Sequence, residues 1–243
     1  MKPNPQVLEV WGDFACFTRP ELKVERFSYP IITPSAARGI FDAIFCKPNR
    51  DPARAQFRWQ ITCIEMLKPV AYIALRRNEV DSVASVANVK KWMSGSAEPH
   101  PLMVTQAQQR QTMALKDVRY RLTGEIRTFP GHEGRQQSLE AQFVRRATQG
   151  KCFHQPCFGC REFPAYFRYL NPEAKDEKPA PVDYSQDLGV MLYDVFDLRV
   201  PNDSSAQPFV SLFRAHIEKG VLQIPQYDSD QVLKPIDETK GQH

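Results

Sequence analysis

Two stretches alternate apolar and polar residues in strict register, and they set the frame for the whole chain. Phe57, Trp59, Ile61 and Cys63 alternate with Arg58, Gln60 and Thr62; Val118, Tyr120, Leu122 and Ile126 alternate with Arg119, Arg121, Thr123, Glu125 and Arg127. Successive side chains of a strand point to opposite faces, so each stretch predicts a strand with one buried face. Upstream, QVLEVWGDFACF (6–17) predicts another strand. Thr33 followed by Pro34 supplies a helix cap and a first-turn proline. Ala37, Ile40, Phe41 and Ile44 then share a helical face. That helix has to end near Lys47-Pro48, because a residue before proline is pushed out of the α region. Downstream, Leu139, Phe143 and Ala147 predict a second helix closed by Gly150. Phe163, Ala165, Phe167 and Tyr169 predict a fourth strand, with Pro164 placing it at an edge or bulge.

The order strand, helix, strand, strand, helix, strand predicts an α+β domain of the ferredoxin-like type over residues 1–170. Between its second and third strands lies an insertion of about 70–115, too long for a plain hairpin loop. Residues 171–186, NPEAKDEKPAPVDYSQ, read as a charged, proline-rich linker. Beyond it, Leu188–Leu198, Phe209–Ile217 and Val221–Ile224 predict a small antiparallel sheet, with a turn at Glu218-Lys219-Gly220, as a second unit over 171–243. A chain of 243 residues can bury a real core without disulfides or metal.

Thirty-two Lys and Arg against 28 Asp and Glu permit a polyanionic partner without demanding one. The basic residues interleave with aromatics such as Phe17, Phe27, Tyr29, Phe45 and Tyr120, and this mixture suits phosphates and unpaired bases. The six cysteines, with nothing like a signal peptide at the N-terminus and no apolar run near the length of a membrane span, predict reduced thiols in a cytoplasm. Cys152, His154, Cys157 and Cys160 lack the paired knuckles of a structural zinc site and read as small loop side chains. His132, in Gly131-His132-Glu133-Gly134-Arg135, precedes the second helix, whose N-terminus attracts phosphate. No Walker loop, dinucleotide fingerprint, zinc-protease helix or nucleophile elbow is present, and paired carboxylates for metal-ion phosphoryl chemistry are not evident. No cofactor or metal is expected.

Several segments carry a resemblance: WGDFACFTRPELKVERFSY (11–29), PSAARGIFDAIFCKP (34–48), RRNEV (76–80), LKDVRY (115–120) and GHEGRQQSLEAQFVRRATQGKCFHQPCFGCREFP (131–164). In this order they resemble the type I-C (Dvulg-subtype) members of the fifth CRISPR-associated protein family, within the RAMP superfamily. The resemblance implies an RRM-like domain with a long β-hairpin insertion and a small C-terminal sheet. It implies binding of the repeat hairpin of precursor CRISPR RNA, a cut at the 3′ base of the stem, and retention on the 5′ handle beside other type I-C interference-complex subunits. The implied cut is metal-independent: the 2′-hydroxyl attacks and leaves a 2′,3′-cyclic phosphate. That chemistry needs a base, an acid and a cation for the developing charge.

The family places a Tyr or His after the first helix and a Lys-His pair at the start of the second. Here those positions hold Phe45 and Arg135-Gln136. Arg135 fits the phosphate clamp but does not titrate near neutral pH. His132, Tyr29, Lys47 and Tyr120 are the candidate proton carriers. The expected RNA-contacting set is Arg19, Lys23, Arg26, Arg38, Phe45, Arg76, Arg77, Arg110, Arg119, Arg121, Gln136 and Arg161. Two readings stay open: a nuclease that keeps its product, and a binding subunit that no longer cuts. A generic RRM-like protein is a third. Non-specific double-stranded DNA on the same basic surface is also left open.

Overall fold

The computed structural model describes residues 3–22, 24–46, 55–80, 85–98, 107–171, 179–200 and 208–235. β1 (Gln6–Ala15) and a two-residue β2 (Arg26–Phe27) precede α1 (Pro34–Ile44). Thr33 caps α1 by accepting from the Ala36 amide at 3.2 Å, and Pro34 occupies its first turn, where a missing N–H costs nothing. β3 (Phe57–Met66), β4 (Tyr72–Val80), α2 (Val86–Met93) and the 22-residue β5 (Ala107–Thr128) follow. A 3-10 turn (Glu133–Arg135) leads into α3 (Gln136–Thr148), then β6 (Tyr166–Leu170). Gly150, at φ +65, ends the α3 region in the left-handed conformation that glycine adopts freely. The chain closes with β7 (Gln186–Asp194), β8 (Ser211–Glu218), β9 (Val221–Gln223) and β10 (Val232–Leu233).

Four strands lie side by side as β6, β1, β5, β3, each antiparallel to its neighbour. α1 joins β1 to β3, and α3 joins β5 to β6. Both helices cover one face of this sheet: Phe41 of α1 and Phe143 of α3 stack at 5.6 Å, and both meet Trp59 of β3, at 4.8 and 4.6 Å. Leu8, Val10, Leu122 and Ile126 complete the same fully buried layer. Removing a ring such as Phe143 from this layer costs roughly 3–5 kcal/mol.

The alternation read for β3 breaks once. A register shift between Ile61 and Cys63 against β5 turns Cys63 to a half-buried position and puts Ile64 and Met66 in the core instead. The C-terminal strands do not form a sheet of their own. β9 pairs with β3, and β8 follows β9, so the antiparallel sheet runs continuously from β6 to β10. The insertion is a hairpin: β4 pairs with the first half of β5 from Tyr72–Leu115 out to Val80–Ala107, and α2 lies beyond β4 with no buried residue.

β5 binds all of this together. One edge takes β4 and then β3; the other takes β2 and then β1. The change of partner falls at Asp117, whose φ of +52 bends the strand, while Lys68 Nζ pairs with its carboxylate at 2.5 Å.

Candidate nucleic-acid interface

The hairpin root gathers cations from separate segments. Directly paired residues share a face, so Arg77 and Arg110 project together, as do Leu75 and Thr112 two residues nearer the core; Arg26 of β2 lies in that second row, opposite Thr112. Like charges directly opposite are unfavourable unless an anion meets them. The 157–163 loop supplies one, because Glu162 pairs with Arg77, whose guanidinium also lies 5.4 Å from the Phe163 ring centroid. Burial opposes charging of Glu162, but the bonds it accepts, Arg77's among them, hold its carboxyl below the ordinary range. Arg161, exposed, sits on the same loop. On the opposite face of the hairpin, Arg76 stands across from Gln111, and Arg19 lies 4.9 Å over the Tyr29 ring and 5.9 Å over Phe27. Cations therefore ring both faces of the root.

Other expected contacts are already committed elsewhere. Arg38 is buried and donates to Asp194 from Nε at 2.7 Å and Nη2 at 3.1 Å, while Nη1 pairs with Asp42. It fastens α1 to β7. Arg119 and Arg168 both hold the buried Glu9 carboxylate, at 2.7 and 2.8 Å. Arg121 donates to Glu65 at 2.9 Å and to the Pro179 carbonyl at 2.6 Å. Arg127 pairs with Glu125 at 2.8 Å. The arginine row read on the polar face of β5 is thus a ladder of ion pairs across the open sheet face. Arg38 and Arg121 are too enclosed to meet a phosphate.

A second group lies at the far end of the sheet. Phe45 caps α1 in extended conformation, fully buried, and stacks on Phe57 at 5.2 Å; its carbonyl accepts from Trp59 Nε1 at 2.8 Å. Phe57 pairs with Thr128, and the Phe129 amide donates to Gln56, so the loop leading to α3 lies beside this end of β3. There His132 is half-buried and Arg135 exposed, one 3-10 turn apart. Gln136 is buried and its amide donates to the Ile126 carbonyl at 3.0 Å and to Glu140 at 2.5 Å. Neither Phe45 nor Gln136 presents itself to a ligand. α3 runs on from the 3-10 turn: the Gln136 amide donates to the Glu133 carbonyl, and the Glu133 carboxylate accepts from the Gly131 amide at 3.1 Å close to Arg135.

The proton-carrier candidates do not converge. Tyr29 belongs to the hairpin root, next to Ser28, whose amide donates to Met113; from Met113 to Thr128 is about 50 Å of strand at roughly 3.3 Å per residue. Burial pushes the phenol of Tyr29 up, and that of fully enclosed Tyr120 further. Lys23 and Lys47 lie outside the described residues. Cys152, His154, Cys157 and Cys160 do not close on one another: among the described residues, no three His, Cys, Asp or Glu side chains gather as metal ligands.

Two aromatics escaped the sequence reading. Trp11 and Tyr166, both exposed, stack at 6.3 Å on the open sheet face beside Arg168. The signal was parity: Trp11 has the opposite parity to Leu8 and Val10, so it leaves the core face of β1.

Comparison with known proteins bears on the whole chain. The family model described as CRISPR-associated protein (Cas_Cas5) matches residues 7–225. A protein of Mannheimia succiniciproducens named CRISPR pre-crRNA endoribonuclease Cas5d is 37% identical over 237 residues, 93% of this chain and 97% of the relative. A protein of Thermus thermophilus with the same name is 35% identical over 231 residues, 90% of each. A solved structure described as a CRISPR-associated protein shares the fold, with a TM-score of 0.60 at 18% identity over 95% of this chain and 96% of its own.

Proposed function

Since the chain belongs to the Cas5d family of CRISPR-associated proteins, we propose that it is an endoribonuclease that cuts precursor CRISPR RNA at the 3′ base of the repeat stem and stays on the 5′ handle within a type I-C interference complex. The observation that carries this reading is the name shared by two relatives that match along nearly their whole lengths, not through one module. The fold supports it at a coarser level. The antiparallel order β6–β1–β5–β3 with two helices on one face is what a ferredoxin-like, RRM-type core over 1–170 requires. In this reading residues 171–243 form an appended unit that extends the same sheet. The protein works in the cytoplasm with its cysteines reduced.

RNA lies along the cationic hairpin root, where Arg19, Arg26, Arg76, Arg77, Arg110 and Arg161 neutralise phosphates. Trp11 and Tyr166 offer an exposed stacked pair for unpaired bases. At the start of α3, the exposed Arg135 holds the scissile phosphate. The 2′-oxygen loses its proton and attacks phosphorus, the 5′-oxygen leaves with a proton, and a 2′,3′-cyclic phosphate remains. No step needs a metal. His132, one turn before Arg135, is the side chain assigned to proton transfer at this end.

The test is incubation with the cognate repeat RNA in EDTA, followed by analysis of the product ends. One cut with a cyclic phosphate end supports the reading, and Arg135→Ala then lowers the cleavage rate by about 10²–10³-fold, the usual cost of losing one preorganised donor to a developing oxyanion. Multiple cuts, or a cut that demands a divalent ion, defeat it. A second reading, a handle-binding subunit that does not cut, is favoured by one observation: Phe45 and Gln136 stand where the family keeps proton carriers, and both are buried and engaged internally. Tight binding without cleavage selects it. Competition with double-stranded DNA tests whether duplex shares the surface.

A further inference from the structure

The loop thiols that the zinc reading left unused meet a thiol from another part of the chain. Cys16 follows β1 directly, and its amide donates to the Phe158 carbonyl at 3.0 Å. Residue 159 lies flat across the Cys16 backbone. A Cβ there would stand 2.0 Å from the Cys16 carbonyl oxygen, and Gly159 holds φ +81, so glycine is what lets the loop come this near. One residue on stands Cys160, whose thiol interacts with that of Cys16. Thr18 Oγ1 is 3.5 Å from the Cys16 sulfur, and Arg26 Nη1 is 3.7 Å from that of Cys160. Cys16 is buried, so a small solute has to approach it from the adjoining groove. Cys16 lines a groove of about 550 Å³ that runs between α1 and the 154–161 segment, with His154 and Arg161 along its wall.

We propose that Cys16 and Cys160 are a redox modification site that closes to a disulfide under peroxide. The Cys16 thiolate attacks one oxygen of hydrogen peroxide; the O–O bond breaks, hydroxide leaves and takes up a proton as water, and Cys16 becomes a sulfenic acid. The Cys160 sulfur then attacks the Cys16 sulfur; the S–O bond breaks, and the oxygen leaves as a second water with the proton given up by the Cys160 thiol. Two thiols and one peroxide give one disulfide and two waters, and a dithiol reductant reverses the change.

The division of labour between the sulfurs follows from their surroundings. The neighbouring Cys160 thiol, with help from Thr18 and the charges of Arg26 and Arg77, brings Cys16 down to about 6 against the opposing effect of burial. Burial instead raises Cys46 and Cys63 to about 11 and pushes Cys157 up. Cys16 is therefore the thiol that carries thiolate at neutral pH, the form that attacks peroxide. Closing the bond removes that negative charge from beneath Arg26 and Arg77. It also ties the loop that carries Arg161 to the end of β1.

The experiment treats the full chain at pH 7.5 with one equivalent of hydrogen peroxide, alkylates the remaining thiols, and maps the peptides without reduction. The expected result is a loss of two of the six thiols, a linked pair of peptides containing residues 16 and 160, and full recovery after dithiothreitol. With Cys160→Ser, the same dose leaves a sulfenic acid on Cys16 that dimedone traps, and no disulfide. Alkylated Cys16 and Cys160 in peroxide-treated wild-type protein, with oxidation at other cysteines or at none, overturns the proposal. RNA takes no part in this readout, so it stands or falls separately from the cleavage assay.

Discussion

Arg38 separates a structural arginine from an RNA-binding one. Its guanidinium is enclosed between Asp194 and Asp42, and burial works against its charge while the two carboxylates outweigh that effect. The Asp194 carboxylate, itself buried, also accepts from the Val195 and Phe196 amides at 2.8 and 3.0 Å. Arg38→Ala leaves this carboxylate without its main counter-charge. Breaking a buried pair from one side costs about 3–5 kcal/mol, and at about 2–4 °C per kcal/mol for a chain of this size, Tm falls by about 6–20 °C. A thermal melt by circular dichroism reads this directly. Adding Asp194→Asn, which keeps an acceptor for the two amides, costs less than the sum of the single changes, with a coupling of about 0.5–3 kcal/mol. Well below the transition, the salt dependence of RNA binding stays as in wild type. A Tm shift under about 2 °C, or a salt slope flattened in folded Arg38→Ala, would refute the argument and return Arg38 to the RNA surface.

Arg77→Ala and Arg110→Ala act in the opposite way: each leaves the fold in place and flattens log K against log salt by about 0.7–0.9, the loss of one phosphate contact, as read by filter binding from 50 to 200 mM salt. Glu9→Gln gives a pH-dependent defect. Burial alone would raise the Glu9 carboxyl, but Arg168 and Arg119 hold it below its ordinary 4.5, so its contribution is present above 4.5 and is lost as pH falls through the lowered folded value. Denaturant melts should show the variant weaker than wild type at pH 7 and the gap closing below pH 4.5. Phe45→Tyr installs the family's hydroxyl but puts it in a site with no exposure, which costs about 1–3 kcal/mol and gains no cleavage rate; faster cleavage would show that the α1 cap opens to the RNA.

The parts of the fold that were readable in sequence are those where neighbouring residues decide the outcome. The Thr33-Pro34 start, the α1 stripe and the β5 alternation all depend on local spacing, and the structure keeps them. The bulge that exchanges Cys63 for Ile64 was not readable, because register depends on the partner strand. Nor was the joining of the C-terminal strands to β3, since β9 shows only three strand residues. At the candidate site the same rule holds. Arg38, Arg119 and Arg121 looked like free cations because their carboxylates, Asp194, Glu9 and Glu65, lie 156, 110 and 56 residues away. Arg26, Arg77 and Arg110 converge through strand pairing that spacing alone does not reveal.

The hairpin that β4 and β5 build has a consequence for how its length can vary. Its strands have a period of two, so adding one residue to each turns everything beyond the insertion upside down, α2 included, while adding two to each restores the original aspect. Arg77 and Arg110 form a matched rung, so a one-step lengthening below them moves both guanidiniums together to the other side, away from the loop that carries Glu162. Viable changes of reach are therefore quantised: the arm grows in double rungs, roughly 6.6 Å at a time, or it presents its charges to the wrong side.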